Sequence, residues 1–341
     1  MPALKVLFFL AGTRNKASSR VRGFWMAEEL TRLGAKCAVV AGRSKRVYLE
    51  CLSRLLGYDI VFFQKRFSLW DHRFMKAATI LGKRTIFDLD DASFLRADGI
   101  DSRRNISYMM KSASAVVAGS RNLLEYARRI QVNSYLVPSS INLEHYEPSR
   151  RQGSRSKVCL GWIGHGAEYR RDLIEILREP LIEVAARCSV RLKLVGVCRQ
   201  KELYEAFSSI PNLETTFLDS IDWFDPLEVR RTMEDFDIGL YPVLANEFND
   251  YKCGFKALEY GAMEIPVVAS PVGANRDVVS AGRDGYLPRR KEEWIQALTS
   301  LIDDRDARRR MGQAGRLKVE RDFNLSAVAK ALAKVMVSTK N

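Results

Sequence analysis

Short apolar runs alternate along this chain with longer stretches in which apolar residues recur every three or four positions. In the first half, residues 6–10, 37–41, 60–63, 85–87, 115–118 and 135–137 are strand-like, and residues 22–33, 47–56, 71–81 and 121–130 carry a helical period. Alternation of this kind predicts a parallel sheet with helices on both faces. Gly34 after Leu33, and Gly57 after Leu56, stand where glycine ends a helix. The periodicity then lapses in a polar segment containing Pro138, Pro148 and Gly153, which reads as a linker.

A second alternating series follows. Strands are expected at 159–163, 192–195, 213–217, 238–241 and 266–269, and helices at 171–186, 227–235, 255–262, 292–301, 307–319 and 326–337. The expected organisation is a Rossmann-like domain over 1–142, a linker over 143–156, a second Rossmann-like domain over 157–325, and a last helix over 326–341. At 341 residues the chain has room for two cores of about 150 residues each. Two doubly wound domains of this kind would face a central cleft with their strand C-termini.

Charge refines this picture. Residues 1–150 hold 25 Lys/Arg against 13 Asp/Glu, whereas residues 151–341 hold 30 against 28. The surplus of basic charge therefore belongs to the first half, and it points to an anionic partner there or to a merely soluble basic surface. The six cysteines and three histidines are scattered, with no metal-ligand or disulfide spacing, so a reducing cytoplasm is the expected location. No apolar run approaches the roughly 20 residues that span a bilayer. The run at 4–10 leads straight into Gly12-Thr13-Arg14 and reads as a first strand, not as a signal core.

The most informative stretch is 252–275. Gly254 precedes a short helix whose first amides, unobstructed by side chains, suit a phosphate, and Lys252 and Lys256 add positive charge beside it. Glu259 lies one turn on, near the face of Phe255 and Lys256, where a carboxylate can accept both hydroxyls of a ribose. A buried strand follows, and the turn around Ser270, Pro271 and Gly273 brings further amides to its end. Taken singly, Lys256 and Glu259 at i,i+3 read equally well as a surface ion pair, and Gly254 as a plain turn.

The run Lys-Cys-Gly-Phe-Lys-Ala-Leu-Glu-Tyr-Gly-Ala, then Ile-Pro-Val-Val-Ala-Ser-Pro-Val-Gly-Ala-Asn, resembles the donor-site signature of the family-4 retaining glycosyltransferases, especially the bacterial branch whose helix begins Lys-Cys-Gly-x-Lys. Weaker similarity covers Ala17–Arg22, Phe87–Asp91, Leu160–Gly164, Asp237–Pro242 and Gly282–Leu287. The resemblance implies the GT-B fold, a nucleoside-diphosphate sugar as co-substrate, no other cofactor and no metal. It also implies that Glu259 binds the donor ribose, that amides near Gly254 and Phe255 meet the sugar and β-phosphate, and that the last helix returns to the N-terminal domain. Two positions depart from the family pattern. Tyr251 stands where many members carry a second Glu, and Trp162 follows Gly161 where they carry an Arg. Lys252 and Lys256, with Arg170 or Arg171, are then expected to meet the diphosphate.

Further candidates come from the strand ends. Asp88, Asp90 and Asp91 form a carboxylate cluster, and Asp90 and Asp91 are read as orienting the acceptor or lining the sugar pocket, or else as capping and solvating groups; with Lys256 they make up the expected catalytic set. Ser19, Arg20 and Arg22 follow the first strand and are assigned to acceptor or phosphate, the serine hydroxyls also being able to cap a helix. Gly164 and His165 lie in a glycine-flanked loop after a strand and are assigned to donor binding, although an isolated loop histidine reads nearly as well as incidental. Basic and apolar residues mix over 43–56 and 65–70, a composition suited to the inner face of the cytoplasmic membrane or to ordinary packing on the sheet.

The expected function is sugar transfer to a glycan, lipid-linked or small-molecule acceptor. A nucleotide-sugar epimerase and a non-catalytic nucleotide-sugar binder are the alternatives. Nucleic acid is not an expected partner, since no recognised motif accompanies the basic half.

Overall fold

The computed structural model describes residues 4–95, 102–148 and 157–339, so part of the expected linker, 149–156, lies outside the described residues. The chain divides into two units: residues 1–140 with 250–253 and 323–341, and residues 141–249 with 254–322.

In the first unit the strands are β1 (Lys5–Leu10), β2 (Lys36–Ala41), β3 (Ile60–Gln64), β4 (Arg84–Leu89), β5 (Ala115–Ala118) and β6 (Ser134–Leu136), all parallel and ordered β2-β1-β3-β4-β5-β6. Their cores are apolar on both faces: Phe8, Phe9, Phe62, Phe63 and Phe87 are all buried. Each such side chain is worth about 1.5–3 kcal/mol relative to exposure. The helices are α1 (Ala17–Ser19), α2 (Trp25–Arg32), α3 (Lys45–Arg54), α4 (Leu69–Ile80), α5 (Ser102–Ser112) and α6 (Arg121–Arg128). α1 and α2 are joined by a widened π-helical turn, Arg20–Phe24. Gly23 lies there against Leu10, so close that a Cβ would stand 2.4 Å from the leucine side chain.

The second unit repeats the plan with β7 (Val158–Ile163), α7 (Gly166–Ala185), β8 (Val190–Val195), α8 (Lys201–Ser208), β9 (Leu213–Leu218), α9 (Pro226–Met233), β10 (Ile238–Tyr241), α10 (Phe255–Ala262), β11 (Val267–Ala269), α11 (Asn275–Val278), β12 (Gly285–Tyr286), α12 (Lys291–Asp303) and α13 (Arg305–Lys318). Its parallel sheet runs β12-β11-β10-β7-β8-β9. The strand order reverses between β7 and β10, the point at which doubly wound sheets open a crevice for ligands. There the Tyr260 hydroxyl enters the gap, accepting from the Ile163 amide and donating to the Leu240 carbonyl, each at 3.2 Å. Burial pushes its phenol pKa up.

The last helix, α14 (Leu325–Ser338), belongs to the first unit and packs against α2. Arg84 there donates to the Met336 carbonyl at 2.7 Å. No helix of the described residues is long and apolar enough to cross a membrane.

Candidate functional site

The site in the second unit is built on the strand ends at that switch point. Gly254 caps α10 with φ 68°, a left-handed conformation in which a side chain would be strained. A Cβ there would also stand 3.2 Å from the Asn275 Oδ1. Asn275 is fixed in turn by donating to the Ser270 carbonyl at 3.0 Å, and the Ser270 hydroxyl accepts from the Val243 amide at 2.9 Å. Gly273 is again left-handed, at φ 56°.

Lys256, in the first turn of α10, extends over the end of β7. Its Nζ lies 3.7 Å from the Tyr169 ring centroid, 5.1 Å from that of Tyr241 and 5.8 Å from that of Trp162. The quadrupoles of the three rings favour a cation there. Gly164 makes room for it, since a Cβ at that position would meet the lysine Cε at 2.5 Å. Among the described residues no carboxylate pairs with Lys256.

Glu259 is one turn further along α10. Tyr146 donates its hydroxyl to Glu259 Oε1 at 2.8 Å. Arg316 fixes that neighbourhood by donating to the Tyr146 and Ala262 carbonyls at 2.6 and 2.7 Å. Residues 143–148, read from sequence as the start of a linker, and 141–142, read as the end of the first domain, cluster with the second unit, and Tyr146 contributes a side chain to its site.

α7 starts at Gly166, five residues before the expected position, because Gly166 packs on the Val197 carbonyl, where a Cβ would come within 2.5 Å. This start places His165 at the N-cap, exposed, and turns Tyr169 toward Lys256. Arg170 and Arg171 are directed elsewhere: Arg170 pairs with Glu202 at 2.8 Å, and the exposed Arg171 with Glu175 at 2.8 Å, one turn along the same helix. Trp162 is fully buried, with an indole N–H that has no partner among the described residues. A buried ring thus occupies the position where an Arg is common in the resembled family, and the ring helps to enclose Lys256.

The remaining candidates lie in the first unit. Arg22 is 3% exposed and is directed inward, donating to both Asp88 oxygens and to the Val137 carbonyl at 3.0 Å. The widened turn aims it at the sheet, which corrects the expectation of an arginine facing a ligand. Burial pushes the Asp88 carboxyl up to about 6, against the pull of Arg22. Ser19 sits within the helical stretch instead of capping it, and its hydroxyl donates to Gln64 Oε1 at 2.9 Å. Arg20 donates to the Arg14 carbonyl at 3.1 Å. Lys65, itself left-handed at φ 51°, pairs with Asp90 at 2.9 Å and with Asp91 at 2.6 Å. The acidic cluster is thereby matched by two cations, neither of which was assigned to it from sequence.

Lys252 belongs to this unit as well, on the strip 250–253. The Asp250 carbonyl accepts from Asn122 at 2.7 Å, and the Cys253 thiol donates to the Asp90 carbonyl at 2.9 Å. The Tyr251 ring packs edge-on against Phe94, with centroids 5.2 Å apart. Tyr251 is thus a packing residue at the position where many members of the resembled family carry a second Glu.

A second unit with Rossmann strand order and a glycine-opened helix at its switch point defines a doubly wound α/β protein, a class whose ligand crevice lies at that switch point. Residues 157–304, within that unit, match the family described as Glycosyl transferases group 1. The D-inositol 3-phosphate glycosyltransferase of Paenarthrobacter aurescens (strain TC1) is 27% identical over 199 residues, 52% of this chain and 45% of that relative. The match thus spans less than half of that relative's length. Sucrose-phosphate synthase from Thermosynechococcus elongatus superposes with a TM-score of 0.75 at 15% identity, covering 98% of both chains. Anabaena HepE, solved in complex with UDP, gives 0.75 at 14% identity, covering 98% of this chain and 100% of that one. The fold is GT-B.

Proposed function

We propose that this chain transfers a sugar from a nucleoside-diphosphate sugar to an acceptor, with retention of configuration, and that the second unit holds the donor. The observation that carries this reading is the Lys256 ammonium, caged by Trp162, Tyr169 and Tyr241 beside the left-handed Gly254 and without a carboxylate partner among the described residues. A cation held in this way next to helix-start amides suits a diphosphate leaving group, whose developing charge it would stabilise without a metal or other cofactor. Glu259, oriented by Tyr146, would take the ribose hydroxyls. Ser270, Gly273 and the exposed His165 belong to the same set of strand ends. The basic first unit is assigned to the acceptor, a glycan or a lipid-linked sugar, and Asp90 and Asp91 act there as groups held by Lys65 to orient it.

A second reading, binding without turnover, is favoured by two features. Trp162 occupies the place of an arginine, and Arg22 is spent on Asp88. A panel of nucleotide sugars tested with and without candidate acceptors separates the readings. Transfer predicts nucleoside diphosphate release that depends on acceptor, with product of unchanged anomeric configuration. Saturable binding with no release from any pair would leave the binder, and interconversion of the donor sugar without acceptor would indicate an epimerase.

A further inference from the structure

The first unit carries an apolar face that its own fold does not cover. Positions 45, 49, 52 and 56 recur at the spacing of one helical face. Along that face Leu49 is 66% exposed, Leu52 51% and Leu56 76%, whereas Cys51 and Leu55 on the other side of the helix are fully buried. Leu69 and Trp70, at the start of α4, are 65% and 61% exposed. Tyr48 joins the two elements, donating to Asp71 at 2.9 Å, with its ring centroid 6.5 Å from that of Trp70. Five large apolar side chains are thus presented together, where exposed leucines are usually scattered singly.

The rim of this face is basic. Arg43, Lys45, Arg46, Arg54 and Arg73 are all exposed. Arg73 stacks over Trp70 at 5.0 Å, and the one acid of α3, Glu50, is paired with Arg54 at 2.8 Å. Leucines at the centre, a tryptophan at the edge and cations around both are the chemistry of an anionic lipid surface. A second copy of the same face would bring like charges together, and a nucleic-acid backbone offers nothing to five apolar side chains.

We propose that α3 and the start of α4 dock this unit on an anionic bilayer, with Leu49, Leu52, Leu56, Leu69 and Trp70 entering the headgroup boundary and the arginines and lysines meeting lipid phosphates. This inference stands apart from the donor-site reading, and its test needs no turnover.

Co-sedimentation of the full chain is compared on vesicles of phosphatidylcholine alone and of phosphatidylcholine with about 30% phosphatidylglycerol. Binding is expected to favour the anionic vesicles at least tenfold and to weaken as salt rises to about 0.5 M. Leu52→Ser with Leu56→Ser should lower partitioning roughly a hundredfold, about tenfold per leucine. Arg43→Gln with Arg46→Gln should lower it about fivefold per charge and leave weak binding to both vesicle types. The charge variant keeps the test open should the leucine variant fold poorly. No binding to either vesicle, equal binding to both, or binding that survives both double substitutions overturns the proposal. So does concentration-dependent self-association in sedimentation velocity that the leucine variant abolishes, which would assign the face to a second copy.

Discussion

The Lys256 ammonium lies 3.7 Å from the centroid of the Tyr169 ring, in contact distance of a π-face that contributes no counter-charge. A lysine on a half-exposed helix start normally pairs with a carboxylate or extends into water. Here Gly164 opens the space and three rings fix the cation at a strand end. The arrangement holds a positive charge in place and leaves its electrostatic demand for a ligand to meet.

Lys256→Met keeps the length of the side chain in the cage and removes its charge. Affinity for the nucleoside diphosphate that the donor panel identifies, read by calorimetry, should fall about tenfold or more, about 1.4 kcal/mol or above, while the melting temperature of the free protein changes little. Unchanged affinity for that nucleotide would remove Lys256 from the donor site. Gly164→Ala should produce a similar loss by displacing the lysine, since the new methyl would come within 2.5 Å of its Cε.

Tyr146→Phe removes the hydroxyl that donates to Glu259 and nothing else of similar size. About 1 kcal/mol of stability should go with it, and nucleoside-diphosphate affinity should weaken a few-fold as the carboxylate loses its orientation. Glu259→Ala should weaken nucleoside-diphosphate binding more strongly than Tyr146→Phe. The reverse order in calorimetry would mean that the tyrosine contacts nucleotide itself.

These residues also show where the sequence was legible. Strand–helix alternation and the glycine-marked 252–275 run identified both sheets and the start of α10, because buried parallel strands are apolar throughout and a left-handed cap requires glycine. Tyr146 was hidden, since it lies in polar, proline-containing sequence with no period. α8 escaped notice because it buries only Leu203 and Phe207, too few positions to show a period, and α5 buries only Ile106, Met109 and Met110. Arg22 misled for another reason: sequence does not reveal the widened turn that sends its guanidinium inward to Asp88.

That buried pair has a mechanical and a pH consequence. Arg22→Met should cost about 3–5 kcal/mol in urea denaturation, because it leaves the Asp88 carboxylate buried without its partner. Arg22→Met combined with Asp88→Leu should recover much of that loss. The Asp88 carboxyl is raised from 3.8 to about 6, so the folded state holds this proton more tightly than the unfolded chain does. Its contribution is therefore fully present below pH 3.8 and is lost as the pH rises through 6, a fall of roughly 3 kcal/mol from this residue. Asp88→Asn should remove that slope, and the difference between the two stability–pH curves isolates it. Parallel curves would show that Asp88 titrates normally.

The cysteine between Lys252 and Gly254 invites a chemical role that its surroundings oppose. Burial pushes the Cys253 thiol up to about 12, and the thiol donates to the Asp90 carbonyl at 2.9 Å, lying so close to Gly119 that a Cβ there would approach the sulfur to 2.6 Å. Cys51 and Cys159 are likewise raised, to about 12 and about 11. At about pH 8 such thiols are less than roughly one part in a thousand thiolate, and thiolate is the reactive form. Iodoacetamide should therefore label the partly exposed Cys198 at least about a hundredfold faster than the buried Cys51 and Cys159 and than Cys253, a partly exposed residue whose thiol is turned to the Asp90 carbonyl, with Cys37 and Cys188, whose thiols burial raises, labelling between these limits. Peptide mass spectrometry over a time course reads this directly. In denaturant the six should label alike. Cys253→Ser keeps a donor to the carbonyl and should retain donor binding, whereas Gly119→Ala should destabilise the first unit by displacing the sulfur. Fast alkylation of Cys253 in the folded protein would instead make it a reactive thiol and would require a different account of the strip that carries Lys252.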